Sequence, residues 1–240
     1  MKTYVIGNLK GGVGKTTTTV NLAYSMASLG KKILVIDADP QSNTTPFFIR
    51  TDHGKYTIRD VNLHPEGIRH MVYRTKYRNI DIIKGSTEMK EEEAVSERIF
   101  GESLEIISDA YDVCIIDTRP AFEKITRNAI YVADILVTPV LLDKFCRDNL
   151  TLVEDALHDF DHVPQWKIFA NRVENKRSQR NTYADMVEKH TWPFLDTCVS
   201  KSAAVDNALE LYKPILKHRS KSIVAADYLE LAKELLEVEV

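Results

Sequence analysis

Short apolar runs alternate with longer amphipathic stretches along this chain. Tyr4-Val5-Ile6 is the first run, and Ile33-Leu34-Val35-Ile36 the second. Ile80-Asp81-Ile82-Ile83, Val113-Cys114-Ile115-Ile116, Ile135-Leu136-Val137 and Trp166-Lys167-Ile168-Phe169-Ala170 follow. Continuous apolar runs of this length suit parallel strands covered on both faces, where neither side can be polar. Helical patterns separate them. One ends near Leu29 before a capping Gly30, one covers 103–109, one opens at Asp148-Asn149, and one spans 222–236. The alternation predicts one α/β domain over 1–240, a mostly parallel sheet with helices on both faces. Residues 44–79 hold Pro46, Gly54, Pro65 and Gly67 among many charges, which predicts short helices and loops over the strand ends. The acidic run from Glu88 to Glu93 reads as a solvated helix face.

Composition narrows the class. Of 240 residues, 44% are hydrophobic and 28% charged, the balance of a soluble globular chain. No apolar run approaches the roughly 20 residues of a membrane span. The chain enters a strand at once, so no signal peptide is expected. Cys114, Cys146 and Cys198 are far apart and form no C-x-x-C, which excludes that class of metal or redox motif. A reduced cytoplasmic compartment is the expectation. Net charge is −3, so contact with nucleic acid must come from local patches. Two exist: 172–180, with Arg172, Lys176, Arg177 and Arg180, and 213–221, with Lys213, Lys217, His218, Arg219 and Lys221. Taken alone, a charge run favours a solvated surface. The last amphipathic helix has an acidic polar face, including Asp227, Glu230 and Glu234. A membrane-targeting helix would be basic, so core packing is predicted.

The candidate chemistry lies after the first strand. Lys10-Gly11-Gly12-Val13-Gly14-Lys15-Thr16-Thr17 sits between a strand and a helix, the context a phosphate-binding loop needs. The glycines let backbone N–H groups approach an anion, and the helix N-terminus adds partial positive charge. Lys15 can reach terminal phosphates, and the Thr16 hydroxyl can ligate Mg²⁺. The strict pattern G-x-x-x-x-G-K-S/T puts a glycine at position 9. Leu9 stands there, and a second lysine, Lys10, precedes the glycines. Asp37 and Asp39 end the second strand and Asp117 ends the run at 113–116. Carboxylates at that sheet edge can hold the Mg²⁺ shell, for Asp37 and Asp117, or orient an attacking water, for Asp39.

The loop resembles the deviant Walker A motif of the ParA/MinD family of ATPases. The resemblance implies a P-loop NTPase fold in which Lys10 reaches the partner's nucleotide across a homodimer holding two ATPs. Asp37-Ala38-Asp39-Pro40-Gln41 resembles the family's Asp-x-Asp-Pro-Gln, whose second aspartate supports hydrolysis. Relatives follow the Walker B aspartate with Thr/Cys-Pro-Pro; here Thr118-Arg119-Pro120 departs, and the role of Arg119 stays open. The resemblance further implies a dimer-facing segment at 141–149 and an adenine site bordered by Asn171 and Arg172. It also implies nonspecific DNA binding through Lys217, Arg219 and Lys221, nucleoid association, and hydrolysis stimulated by a ParB-type centromere-binding partner. A MinD-like positioning ATPase and a small-molecule ligase of the same superfamily are the alternative readings. The basic membrane helix of the first is absent from the closing sequence.

Overall fold

The computed structural model describes residues 1–90, 92 and 99–239. The chain runs β1 (Lys2–Ile6), α1 (Lys15–Ser28), β2 (Ile33–Asp37), α2 (Thr45–Phe48) and α3 (Ile58–Leu63). A 3₁₀ turn at Pro65–His70 leads to β3 (Tyr73–Arg74), β4 (Ile80–Ile83), α4 (Ile99–Ile107) and β5 (Val113–Asp117). Then come α5 (Lys124–Tyr131), β6 (Ile135–Leu141), α6 (Cys146–Leu157), β7 (Gln165–Asn171) and α7 (Arg177–Lys189). The chain closes with α8 (Ala203–Glu210), α9 (Ile215–His218) and α10 (Ile223–Glu237).

The sheet order is β3-β4-β2-β5-β1-β6-β7. Every pairing is parallel except β3 with β4. All five residues of β2 and of β5 are buried, as continuous apolar runs require. Successive side chains enter opposite layers. Tyr4 and Ile6 join the core under α1 and α10, while Val5 joins the core under α3, α4 and α5. The helix α10 buries Val224, Tyr228, Leu231 and Leu235 there, the packing its acidic outer face predicts. Tyr4 fixes it by donating its phenol to Leu235 O (2.9 Å).

The connections leaving β1 and β5 run in opposite directions across the sheet. A crevice therefore opens at the carboxyl ends of these strands, where ligands bind in open α/β sheets. In register, Ile6 and Asp37 both stand beside Asp117, so the loop after β1 and two carboxylates meet at that edge.

Three details differ from expectation. The segment 44–79 includes a strand, β3, whose antiparallel return closes one sheet edge. The helix α6 begins at Cys146, upstream of Asp148. Asp143 turns the chain first: its carboxylate accepts from Phe145 N (2.9 Å) and its carbonyl from Cys146 N (3.0 Å). Of the acidic run, Glu88 lies in a turn after β4, and positions 91 and 93 lie outside the described residues.

Candidate functional site

The loop after β1 is anchored before it bends. Asn8 donates its amide to Pro139 O on β6 (2.9 Å) and accepts from Lys10 N (2.8 Å). Gly14 takes φ 98°, a conformation L side chains rarely adopt. A Cβ there would also stand 2.5 Å from Asn171 Nδ2. Asn171, at the end of β7, donates that amide to Val13 O (2.8 Å), and its side-chain oxygen accepts from Arg172 N (2.9 Å). It thus braces the loop, a duty the sequence does not announce.

Lys15 is buried, and its ammonium donates to two loop carbonyls, Asn8 O and Lys10 O, each at 3.2 Å. Burial pulls its pKa down, while Asp117 and Asp39 pull it up. No carboxylate among the described residues lies within ion-pair distance of it. A buried ammonium with only neutral partners is unfinished electrostatically, and an anion in the loop would complete it.

Opposite stand the carboxylates. Asp117 accepts hydroxyls from Thr44 (2.6 Å), Thr16 (2.8 Å) and Thr19 (3.2 Å). Asp37 Oδ2 accepts the backbone N–H (2.8 Å) and hydroxyl (2.6 Å) of Thr45. Its Oδ1 is buried with no partner among the described residues, as is Ser42 Oγ. Gly85, after β4, permits this crowding, because a Cβ there would lie 2.5 Å from Ser42 Oγ and 2.9 Å from Asp37 Cγ. Burial, with Asp117 as neighbour, pushes Asp37 up to about 7. Burial pushes Asp117 up to about 6 against the threonine hydrogen bonds. Asp39 is buried and accepts from Gln41 N (2.9 Å).

This donor set is hard oxygen throughout. Among the described residues no cluster of three or more His, Cys, Asp or Glu could hold a metal alone. One hydroxyl and one or two carboxylates, with an orphan oxygen on Asp37, fit Mg²⁺, which keeps waters and shares phosphate oxygens. They do not fit a thiolate or imidazole metal.

Lys10 points away from its own loop. Its ammonium pairs with Asp143 Oδ2 (2.7 Å) and lies 5.6 Å from the Phe145 ring centroid, on the turn before α6. Phe145 is 54% exposed, so the expected dimer-facing segment at 141–149 carries a bare apolar side chain. Arg119 pairs with Glu123 (3.0 Å), the residue just before α5.

A small recess of about 100 Å³ lies beside Asn171 and Arg172, lined by Thr17, Ser200, Ser202, Asp206 and Tyr228. Val199 N donates to Ala170 O (2.9 Å), so the chain before α8 runs along β7 and delivers Ser200 and Ser202, while Thr17 comes from α1, Asp206 from α8 and Tyr228 from α10. Thr17 belongs to the phosphate-loop motif, and Ser202, the N-cap of α8, is of a residue type that favours such a position; Ser200, Asp206 and Tyr228 carry no such signal. Arg172 is exposed with φ 52°, held in the left-handed region at the recess wall. The two basic clusters differ. In 172–180, Lys176 pairs with Glu174 (2.9 Å). Lys213, Lys217, Arg219 and Lys221 are exposed and have no carboxylate partner among the described residues.

A glycine-turned phosphate loop facing buried carboxylates at the carboxyl edge of a parallel sheet defines a P-loop nucleotide-binding protein. A family model described as AAA domain matches residues 1–164. The chain belongs to the ParA/MinD family of ATPases. It is 27% identical over 247 residues to a virulence plasmid ParA family protein of Chlamydia psittaci, covering 98% of this chain and 94% of that one. It is also 27% identical to the sporulation initiation inhibitor protein Soj of Bacillus subtilis, covering 98% of each. A putative plasmid partition protein of Borrelia burgdorferi, solved bound to AMPPNP, shares the fold with TM-score 0.83 at 20% identity, over 98% of each chain.

Proposed function

We propose that the chain is a ParA-type DNA-partitioning ATPase. It binds ATP with Mg²⁺, dimerises around two nucleotides, binds DNA without regard to sequence in that state, and hydrolyses ATP when a ParB-type centromere-binding protein stimulates it. The observation that carries this reading is Lys10. A lysine of the phosphate loop turns outward beside exposed Phe145, where the Asp143 carboxylate holds it away from its own loop, so it is placed to meet an anion from outside its own subunit. A second subunit's phosphates would supply one.

The residues then divide the work. The N–H groups from Gly11 to Thr17 and the start of α1 cradle the phosphates. Lys15 exchanges its carbonyl partners for phosphate oxygen. Thr16 and Asp117 would hold Mg²⁺, with Asp37 on its water shell; the ion, when bound, neutralises charge on the β- and γ-phosphates. Asp39 orients the attacking water and takes its proton. Asn171 and Arg172 border the base in the recess by α8. Lys217, Arg219 and Lys221 contact DNA phosphates, an interaction that needs charge and no base readout. Among the described residues no helix is long and apolar enough to cross a membrane. DNA binding would make the dimer nucleoid-associated within the cytoplasm.

ATP turnover tests the reading. Random-sequence duplex together with a ParB-type protein should raise it. A rise with a carboxylate metabolite instead would select the ligase reading, and a rise with anionic vesicles the MinD-like one.

A further inference from the structure

Three clefts lie away from the nucleotide edge. One of about 870 Å³ lies between the chain after α2 and β3, lined by Phe48, Arg50, His53, Arg74, Lys76 and Tyr212. A second, of about 590 Å³, opens at the end of α1 against Tyr24, Lys76, Arg78, Lys213 and Lys217. A third, of about 460 Å³, continues past Arg74, Lys76 and Arg78 to Lys32 and Tyr111. Lys76 lines all three, so they form one trough along the β3–β4 edge of the sheet.

Charge in this trough runs against the whole chain, whose net is −3. Arg74, Lys76 and Arg78 are exposed, while Tyr73, Thr75 and Tyr77 between them are half-buried. The cations therefore line the open side of the segment. Its acids are spoken for: Asp52 pairs with Arg50 (2.9 Å), and Asp81 accepts from the Tyr111 hydroxyl (2.9 Å). Arg74, Lys76, Arg78, Lys213 and Lys217 have no carboxylate within ion-pair distance among the described residues. Lys76 is also lowered in pKa, by burial and by the like charge of Lys213. Five cations without an ion pair, against Asp52 already paired and Asp81 as the other lining carboxylate, mark a polyanion surface.

The aromatic side chains indicate which polyanion. Tyr77 meets Tyr24 edge to face (5.2 Å) and Phe48 likewise (6.1 Å), and the Lys76 ammonium lies 5.4 Å from its centroid. Tyr212 meets Phe47 edge to face (5.4 Å). Single-stranded nucleic acid is held by stacking bases on free ring faces. The Tyr24, Phe48 and Tyr77 rings pack on one another and form a floor beneath the cations, while Tyr212 at one end is 49% exposed. A row of cations over a packed floor, with one exposed ring at its end, suits the phosphate ridge of a duplex better than a run of stacked bases.

We propose that this trough is a duplex-DNA backbone contact in which Arg74, Lys76 and Arg78 extend the 213–221 cluster across the sheet edge. The proposal rests on the DNA-binding reading above and adds a segment from the other half of the chain. Fluorescence anisotropy with the full chain, ATP and a random-sequence duplex over a salt series tests it. The variant Arg74→Ala/Lys76→Ala/Arg78→Ala should bind at least about tenfold more weakly, and its log K against log salt slope should flatten by about 2 to 3. Its ATP-dependent dimerisation should be unchanged, which excludes misfolding. In the wild type, duplex should protect Lys76 and Lys213 from acetylation, read by mass spectrometry. If the triple variant keeps wild-type affinity and slope while Lys217→Ala/Arg219→Ala/Lys221→Ala loses binding, this inference fails and the DNA reading stands. If the wild type binds no duplex at low salt with ATP, the DNA reading fails and takes this one with it. Tighter binding of single-stranded RNA than of duplex, lost in the triple variant, would assign the trough to another ligand and overturn the proposal.

Discussion

Replacing Asp143 with Asn should tighten the ATP-dependent dimer. In the single subunit, Lys10 is held by the Asp143 carboxylate at 2.7 Å. If Lys10 serves the partner's nucleotide, each subunit must break that pair on dimerisation. The two side chains are 30% and 40% exposed, so solvent screens the pair, and about 0.5–1 kcal/mol is its expected strength. Two pairs per dimer make about 1–2 kcal/mol, or roughly 5- to 30-fold in the dimer dissociation constant. The Asn variant keeps an oxygen to accept from Phe145 N, so the turn before α6 survives while the charge is lost. Sedimentation velocity over a concentration series, with a slowly hydrolysed ATP analogue, reads the constant directly. The advantage should shrink at high salt, as an exposed pair requires. An unchanged or weaker dimer would refute the latch and return Asp143 to a contact that the dimer itself uses.

Lys15→Ala should abolish ATP binding, since a buried ammonium with only carbonyl partners is lost from the loop; near-normal affinity by calorimetry would contradict this. Asp39→Ala should retain ATP binding and accumulate the dimer with slowed turnover; an unchanged rate returns Asp39 to its turn with Gln41. Asp37 and Asp117 are raised to about 7 and about 6, above the unfolded carboxylate value of roughly 3.9. Between those limits the folded chain holds protons that the unfolded chain has released. Their stabilising contribution is therefore full at low pH and lost as pH rises toward 7. In thermal unfolding without nucleotide, Asp37→Asn should flatten that fall, and an identical pH profile in the variant would count against it. Phe47→Leu should keep ATP binding but weaken its effect on DNA affinity. The reason is that α2 touches both ends: Thr44 and Thr45 hold Asp117 and Asp37, and Phe47 packs on Tyr212 beside Lys213. An unchanged ratio of DNA affinities with and without ATP would remove α2 from the coupling.

The strands from β1 to β7 are readable in the chain where they are buried on both faces, because burial leaves only apolar residues in register. The strand β3 is not, since Tyr73-Arg74 at a sheet edge has no such constraint. The start of α6 is masked because its capping hydrogen bonds come from Asp143, upstream of the helix, and Phe145 supplies none from its side chain. In the site, the loop and the three aspartates carry their chemistry in residue type and spacing. The threonines that satisfy them do not. Thr44 and Thr45 look like ordinary loop residues, and only the fold shows their hydroxyls spent on Asp117 and Asp37. Asn171 shows the same limit from the other side. Its position at a strand end is legible, but its grip on Val13 O depends on where β7 lies relative to the loop.

The basic trough is the furthest from legible, for a geometric reason. Along the chain, Arg74, Lys76 and Arg78 are three more charges in an unreadable segment, and Lys213 and Lys217 belong to a cluster over a hundred positions away. Two contacts bring them together. The antiparallel pairing of β3 with β4 turns the first group to the sheet edge. The buried amide oxygen of Asn21 on α1 accepts from Ile215 N (2.7 Å), which seats α9 against that helix and places Lys213 and Lys217 by its end. Neither contact involves a charge, so no count of charges along the sequence would find the patch. Asn21→Leu should therefore disturb DNA binding without touching a basic residue, by releasing α9. It should leave the site of Lys15 and Asp117 intact. A variant with wild-type DNA affinity and a stable fold would mean that α9 keeps its place without this bond.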